Sequence, residues 1–574
     1  MRVKLFKRCL LYSLIPCVVL IRIFHNYNWS IWGSDTGEYL YLTRELVSNG
    51  KMLSEGYLGW GRAYPDFQGM QIVAGTISLV ANIDYNIALL WFIPMMSALS
   101  MPILFFIGKE ISGFTPALFA SAFYSATFAV VFANSHAMPG GLAEPIGFLV
   151  LLNWIKILKS DKIWIINPAK RNPWANMMKF SFFALLITHH FTLLLLMAAI
   201  LGILIVEIAA GNKKISTEGI MVVGLMSLPI SVYWLIYAKS FRQMLDDSAF
   251  NFLPESVPVT IVLTLIPLIT LLILWVTRDY LQLPLIKNNI TKQAMVNRIC
   301  VTFAISFVAI IVVLWRGVPG TIAPLQAGEY QALPYLLINV LWISFAANAS
   351  LVTSQKNGWL LWGWILPIMA LATIGAVTES HLLIAYRHAP YLLAPLSLIA
   401  GIGFMYFIRS YENNKRPIIA TSVITIFIAC AFMSYPPPSV MGGFQEGTNP
   451  KEIDAILWTG FVEEDSLVVS DHRLSSLTFG LTKTNASWEN GATVINGNKQ
   501  ESKEAAKELS TPQAGVKKVN YVLVSAEMEK GVALLQWDPA KELTGEAKTK
   551  FKENNDFPIW FDNGDTTIMR MNPD

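Results

Sequence analysis

Asp35 and Glu38 stand three residues apart in Gly33-Ser34-Asp35-Thr36-Gly37-Glu38-Tyr39, directly after the first apolar run of the chain. On a helix this spacing puts both carboxylates on one face, where they could hold a divalent cation such as Mg or Mn, or one could act as a general base. The same spacing also fits a capping box, with Asp35 starting the helix and Glu38 at its third position. A second group lies in NSHAMPGGLAE. There His136 and Glu144 could complete a site with Asp35, or Pro139 and its glycines could form a plain turn before an ordinary helix-starting Glu144. His189 and His190 fall inside a long apolar stretch. Charging them there would be expensive, so they are either neutral and hydrogen-bonded or line a wet cavity. Arg387 and His388 head a later apolar run, behind Glu379 and His381. A guanidinium at that depth can clasp a phosphate through two parallel hydrogen bonds, or can simply snorkel to the interface. Glu329 and Tyr330, in another loop, could reach the same cavity.

The elements that must carry these residues are membrane helices. Of 574 residues, 54% are hydrophobic and only 14% charged, and mean hydropathy is +0.48. So few charges cannot cover a soluble protein of this size, and lipid must supply the remaining solvent. A net charge of +4 makes no case for a nucleic-acid partner. Runs near the ~20 residues needed to cross a bilayer fall at 7–25, 85–107, 114–133, 142–158, 217–238, 257–277, 298–316, 331–352, 358–378, 389–408 and 416–434. The stretch 180–210 is too long for one upright helix. Lys179 before it and Lys213-Lys214 after it put both ends on one side, which predicts a hairpin and about 13 spans in all.

Basic clusters at Arg2 to Arg8, Lys109, Lys156 to Lys179, Arg278 to Arg298 and Arg409 to Arg416 recur on one side, expected to be cytoplasmic together with the uncleaved N-terminus. The candidate site residues share the opposite side. An odd number of spans places the C-terminal region with them, outside the cell membrane. The prediction is a polytopic α-helical membrane domain over 1–434, with a large first outer loop at 26–68, followed by an extracytoplasmic α/β or α+β domain over 435–574. Tyr435-Pro436-Pro437-Pro438 ends the membrane part. Beyond it, 466–470 and 519–525 read as buried strands, 499–510 as an amphipathic helix, and 561–571 as a hairpin turning at Asn563-Gly564. All four cysteines lie in apolar runs, which excludes a disulfide framework in that domain.

The pattern resembles the GT-C superfamily of integral-membrane glycosyltransferases. The likeness is carried by GSDTGEYLYLTRELVSNG after span one, YPDFQGMQIVAGTISLV before a span ending in FFIGKEISG, THHFTLLLL, and YRHAPYLLAPLSLIAGIGF. It implies a polyprenyl-phosphate-linked sugar donor, a lipid, glycan or protein acceptor, and sugar transfer with inversion on the outer face. It further implies Asp35, with Glu38, as base or metal ligand, and Arg387 as the contact to the lipid phosphate. The span count and outer domain resemble the oligosaccharyltransferase catalytic subunit. Its WWDYG motif is absent, and Ser487-Trp488-Glu489-Asn490-Gly491 is only a faint echo, so monosaccharide transfer is as well supported as oligosaccharide transfer. A transporter or flippase of lipid-linked glycans, and a non-catalytic envelope assembly component, are the competing classes. The first would tend to show inverted repeats, which the sequence does not display.

Overall fold

The computed structural model describes residues 2–51, 57–160, 172–210, 213–247, 258–281, 292–316, 333–349, 356–378, 383, 385–412, 414–432, 434, 446–463, 466–509, 518–529, 543, 545–552 and 557–571. Among them, seven helices are long and apolar enough to cross a membrane: Tyr85–Ser112, Pro139–Lys159, His190–Ala209, Thr217–Tyr237, Val259–Thr277, Gly358–Gly375 and Ala389–Ser410. Phe114–Ala126 and Phe128–Asn134 make an eighth if taken as one span, bent by 65°. The bend falls at Thr127, whose extended backbone interrupts the helix. Helix also forms over the other expected runs, but Pro173–Leu186, Leu333–Ala349 and Arg416–Phe432 have only 14, 17 and 17 residues. The ambiguous 180–210 stretch is part of two helices, and the first begins earlier than its apolar run, at Pro173. The break falls at 187–189, where His189 takes an extended backbone and caps the second helix with its own side chain.

Between the first helix, Arg2–Asn28, and the Tyr85–Ser112 span, the chain forms the two-residue strand β1 (Ile31–Trp32), the helix Thr36–Asn49 and the short apolar helix Gly69–Ala81. β1 pairs antiparallel with β2 (Gly447–Thr448), so the first loop is stitched to the C-terminal region by backbone hydrogen bonds.

The C-terminal region is built on a five-stranded sheet of β3 (Ser466–Val469), β4 (Asn485–Ala486), β5 (Lys518–Ser525), β6 (Ile559–Asp562) and β7 (Thr566–Arg570), in the order β4-β3-β5-β7-β6. β3 runs parallel to β4 and β5, while β7 runs antiparallel to β5 and β6. The expected strands, the helix Lys499–Leu509 and the hairpin all form, with Gly564 at φ 80° in the turn as an Asn-Gly pair favours. Two further helices bring this unit to the first loop. Pro450–Trp458 starts from a capping box of Asn449 and Glu452. His472–Thr482 starts at Asp471, whose Oδ1 accepts from the Leu474 amide at 2.9 Å.

The His472–Thr482 helix lies directly on Thr36–Asn49. Gly37 and Gly480 face each other so closely that a Cβ on either would sit 2.1 Å from backbone oxygen of the other helix, from Ser476 O in one case and Gly37 O in the other. Only glycine permits this crossing. Around it, the Ser476 hydroxyl accepts from the Glu38 amide at 3.1 Å, Arg44 donates to Gly480 O at 3.2 Å, and Lys483 pairs with Glu45 at 2.8 Å.

Candidate active site

This crossing brings Asp35 to His472. Asp35 precedes the Thr36–Asn49 helix with φ −88° and ψ 0°, and its side chain makes no capping bond. The capping-box alternative is therefore not realised. The Asp35 Oδ1 instead lies 2.6 Å from His472 Nε2, and the Tyr39 hydroxyl donates to Oδ2 at 3.4 Å. The His472 ring is framed by Trp60, edge-on at 5.1 Å, and Trp488 at 5.8 Å. Burial pushes the Asp35 carboxyl up. The hydrogen bond and charge of His472, joined by His136 and Arg387, outweigh that and hold it below the usual range.

Glu38 has the opposite environment. It is fully buried, and its Oε1 accepts from the Tyr57 hydroxyl and from the Gly61 amide, the latter at 2.8 Å. Burial and then the Asp35 charge push its pKa up to about 8, against the smaller opposing effect of those hydrogen bonds. At neutral pH the pair is one anion and one neutral acid, a split that assigns different roles to two adjacent carboxyls. Among the described residues no three His, Cys, Asp or Glu side chains gather as a metal-holding group. Glu38 is engaged through Oε1 by the 57–61 segment and Asp35 through Oδ1 by His472, which leaves Glu38 Oε2 buried without a hydrogen-bond partner.

A pH test follows from Glu38. Its folded pKa lies above the ordinary 4.5, so the stability it contributes is present below about 4.5 and is lost as pH rises through about 8. Glu38→Gln keeps an acceptor for Tyr57 and Gly61 and cannot ionise. Thermal melts should show the variant gaining on the parent between pH 5 and pH 8. A constant gap across that range would show that Glu38 does not titrate there.

Arg387 is half-buried in the turn Ala385–His388, just ahead of the Ala389–Ser410 helix. Its charge acts on Asp35 and Tyr64, and also reaches His189 and His190. His388, by contrast, is buried with its ring edge-on to Phe191 at 5.0 Å. His136 is buried against Gly33, and its charge interactions are with Glu446 and Asp35.

Glu144 turns elsewhere. It sits in the second turn of Pro139–Lys159 rather than at its start, and accepts from Asn134 Nδ2 at 3.2 and 3.1 Å. Tyr124 and the buried Arg22 complete its surroundings, so it belongs to a polar cluster among the helices and not to the Asp35 group. The His189 Nδ1 engages Thr192 Oγ1 at 2.7 Å, and His190 packs on Phe67 and Phe241 at 4.9 and 4.4 Å. His189 is thus hydrogen-bonded, whereas His190 is packed among rings with its Nδ1 buried and without a hydrogen-bond partner. Glu329, Tyr330, Glu379 and His381 lie outside the described residues.

Sequence reasoning missed His472, Tyr57 and Trp60. A signal for His472 was present: Asp471 directly after a buried strand is a helix-starting residue, and it marks the next side chains as sitting at a strand's end.

No protein-family model and no curated protein sequence matches the chain. Solved structures do. The Archaeoglobus fulgidus oligosaccharyltransferase, tethered to an acceptor peptide containing the NVT sequon, superposes with a TM-score of 0.59 at 13% identity, covering 91% of this chain and 69% of that one. The same archaeal enzyme with an inhibitory peptide and a dolichol-phosphate gives 0.58 at 13% identity, covering 92% and 70%. Its complex with zinc and sulfate gives 0.55 at 12%, covering 91% and 68%. At such identities the likeness is one of fold alone: the chain shares the fold of these archaeal oligosaccharyltransferase structures.

Proposed function

We propose that this chain is a membrane glycosyltransferase that moves a sugar from a polyprenyl-phosphate carrier to an acceptor on the outer face of the membrane. The observation that carries the reading is the Asp35 carboxyl, hydrogen-bonded to His472 and held below the usual range, on a fold shared with the archaeal oligosaccharyltransferase. In the proposed step the acceptor's nucleophilic atom attacks the anomeric carbon while Asp35 takes its proton. The bond from that carbon to the carrier phosphate oxygen breaks, and the electron pair leaves with the phosphate, which Arg387 stabilises. Attack opposite the leaving group inverts the anomeric centre. The dolichol-phosphate in the archaeal structure supports a polyprenyl carrier. The C-terminal unit docks on the Asp35 loop, which supports putting the two on the same side of the membrane.

Arg387 supplies the test of the donor. Arg387→Lys keeps the charge and the reach to the interface but loses the two-pronged geometry. Hydrogen bonds to charged groups contribute ~1.5–3 kcal/mol, so donor KM should rise on the order of 10- to 100-fold in Arg387→Ala, with a smaller rise in Arg387→Lys. Titrating a polyprenyl-phosphate-linked sugar against both purified variants decides it. An unchanged donor KM in both would remove Arg387 from the site. Sidedness is tested separately, by impermeant labelling of single cysteines placed at Lys51, Lys109 and Asp562 in intact cells. Labels should reach the first and last and spare Lys109.

A further inference from the structure

The Asp35–His472 contact joins residues 437 positions apart, one from the first loop and one from the C-terminal unit. An ionised carboxylate can only accept, so in this contact Nε2 carries the proton and donates it to Oδ1. That leaves Oδ2, approached by the Tyr39 hydroxyl at the longer distance of 3.4 Å, as the oxygen available to a substrate.

The imidazole has little freedom. It is 4% exposed, it opens the His472–Thr482 helix, and Trp60 and Trp488 flank its ring. Its helix is fixed at the base by Asp471, which caps it, and by Arg473, which is buried against Asp471 and Glu452 at 3.0 and 3.1 Å. Its far end is pinned by the Gly37–Gly480 crossing. The charged and titratable groups acting on the pair are Glu38, Tyr39, Tyr64, His136 and Arg387, with Asp471 and Arg473 flanking His472 along the chain.

We infer that His472 is a positioning residue for the transfer proposed above, fixing the Asp35 carboxylate through Oδ1 so that Oδ2 faces the acceptor, and that the base is complete only when the C-terminal unit is docked. The inference rests on the proposed role of Asp35. It makes the soluble unit part of the catalytic apparatus, since a carboxylate with no partner on Oδ1 rotates about its own side-chain torsions and loses its aim. A misplacement near 1 Å in a reacting group can lower a rate about 10²-fold.

The test uses the full-length protein in three variants. His472→Leu fills the space between the tryptophans without a donor, and should lower kcat on the order of 10²-fold while leaving donor KM within about twofold, because Arg387 is untouched. His472→Gln restores an N–H at nearly the same reach and should recover most of that loss. A general loosening of the fold would instead raise KM together with the fall in kcat, and would not be rescued by Gln. Equal kcat in His472→Leu and the parent, or equal losses in Leu and Gln at matched melting temperatures, overturns the inference. Asp35→Asn measured alongside separates the two claims. An active Asp35→Asn defeats the proposed function itself, whereas an inactive Asp35→Asn with a fully active His472→Leu defeats only the positioning role.

Discussion

Asp35→Asn lowers kcat for sugar transfer by ~10²–10⁴-fold, the range a positioned general base supplies, and leaves donor KM unchanged. The substitution preserves shape. Asparagine still offers an oxygen to the His472 Nε2–H and a second polar atom toward Tyr39, so the crossing of the two helices has no reason to open. What disappears is the charge. Asp35 stands out among the carboxyls of the site because its surroundings hold its pKa down against burial, while its neighbour Glu38 is pushed up to about 8. The contrast predicts an ordering: Asp35→Asn is severe, and Glu38→Gln, which substitutes one neutral acceptor for another, is mild. The measurement is turnover of a polyprenyl-phosphate-linked sugar by purified protein, with melting temperature as the control for folding. Full turnover in a well-folded Asp35→Asn removes the base from the mechanism and favours the assembly component or transporter, neither of which needs an acid there.

The membrane region could be read from the chain because lipid imposes a crude code: apolar runs of sufficient length, and basic residues gathered on one side. That code fails where length is short. Pro173–Leu186 carries Asn176 and Lys179 before Phe180, so the uninterrupted apolar run marks only its second half. In the C-terminal region, β3, β5 and the β6–β7 hairpin are legible by composition and by Asn563-Gly564. β1 and β2 are two residues each, too short to show any alternation.

The site was half legible for a different reason. Asp35 and Arg387 stand out because charged residues at the edge of apolar runs are costly without a purpose. The fate of Glu38 depends on Tyr57 and Gly61, about 20 positions on, and Asp35's own partner lies in another part of the fold. Local spacing left a capping box, a metal pair and a general base open for Asp35 and Glu38, and none of these readings could include groups that only tertiary structure delivers. Glu144 shows the same limit. Its loop neighbour His136 does reach the Asp35 group, while Glu144, eight residues further on, points into the bundle toward Asn134.

Arg473→Met should destabilise the C-terminal unit by ~3–5 kcal/mol, as expected when one partner of a buried ion cluster is removed. Arg473 is fully buried, with Nη2 bonded to Glu452 Oε1 at 3.1 Å and to Asp471 Oδ2 at 3.0 Å, and Nη1 donating to the Gly447 carbonyl. One guanidinium thus serves two buried carboxylates and the strand that pairs with β1. Methionine replaces its length but none of its donors, and both carboxylates are left without their counter-charge. The pH dependence has a definite sign. Burial already raises the Asp471 pKa, with Arg473 offsetting part of that rise. Without Arg473 the folded pKa climbs further, and a raised folded pKa means stability that is present at low pH and lost as pH rises. The melting temperature of the variant should therefore fall below the parent by more at pH 8 than at pH 5. Because His472 is the adjacent residue and Asp471 caps the same helix, turnover should fall along with stability, and should recover partly on lowering the temperature. If Arg473→Met melts with the parent at both pH values, the buried cluster is not what holds this helix on Asp35, and the Gly37–Gly480 crossing must hold it instead.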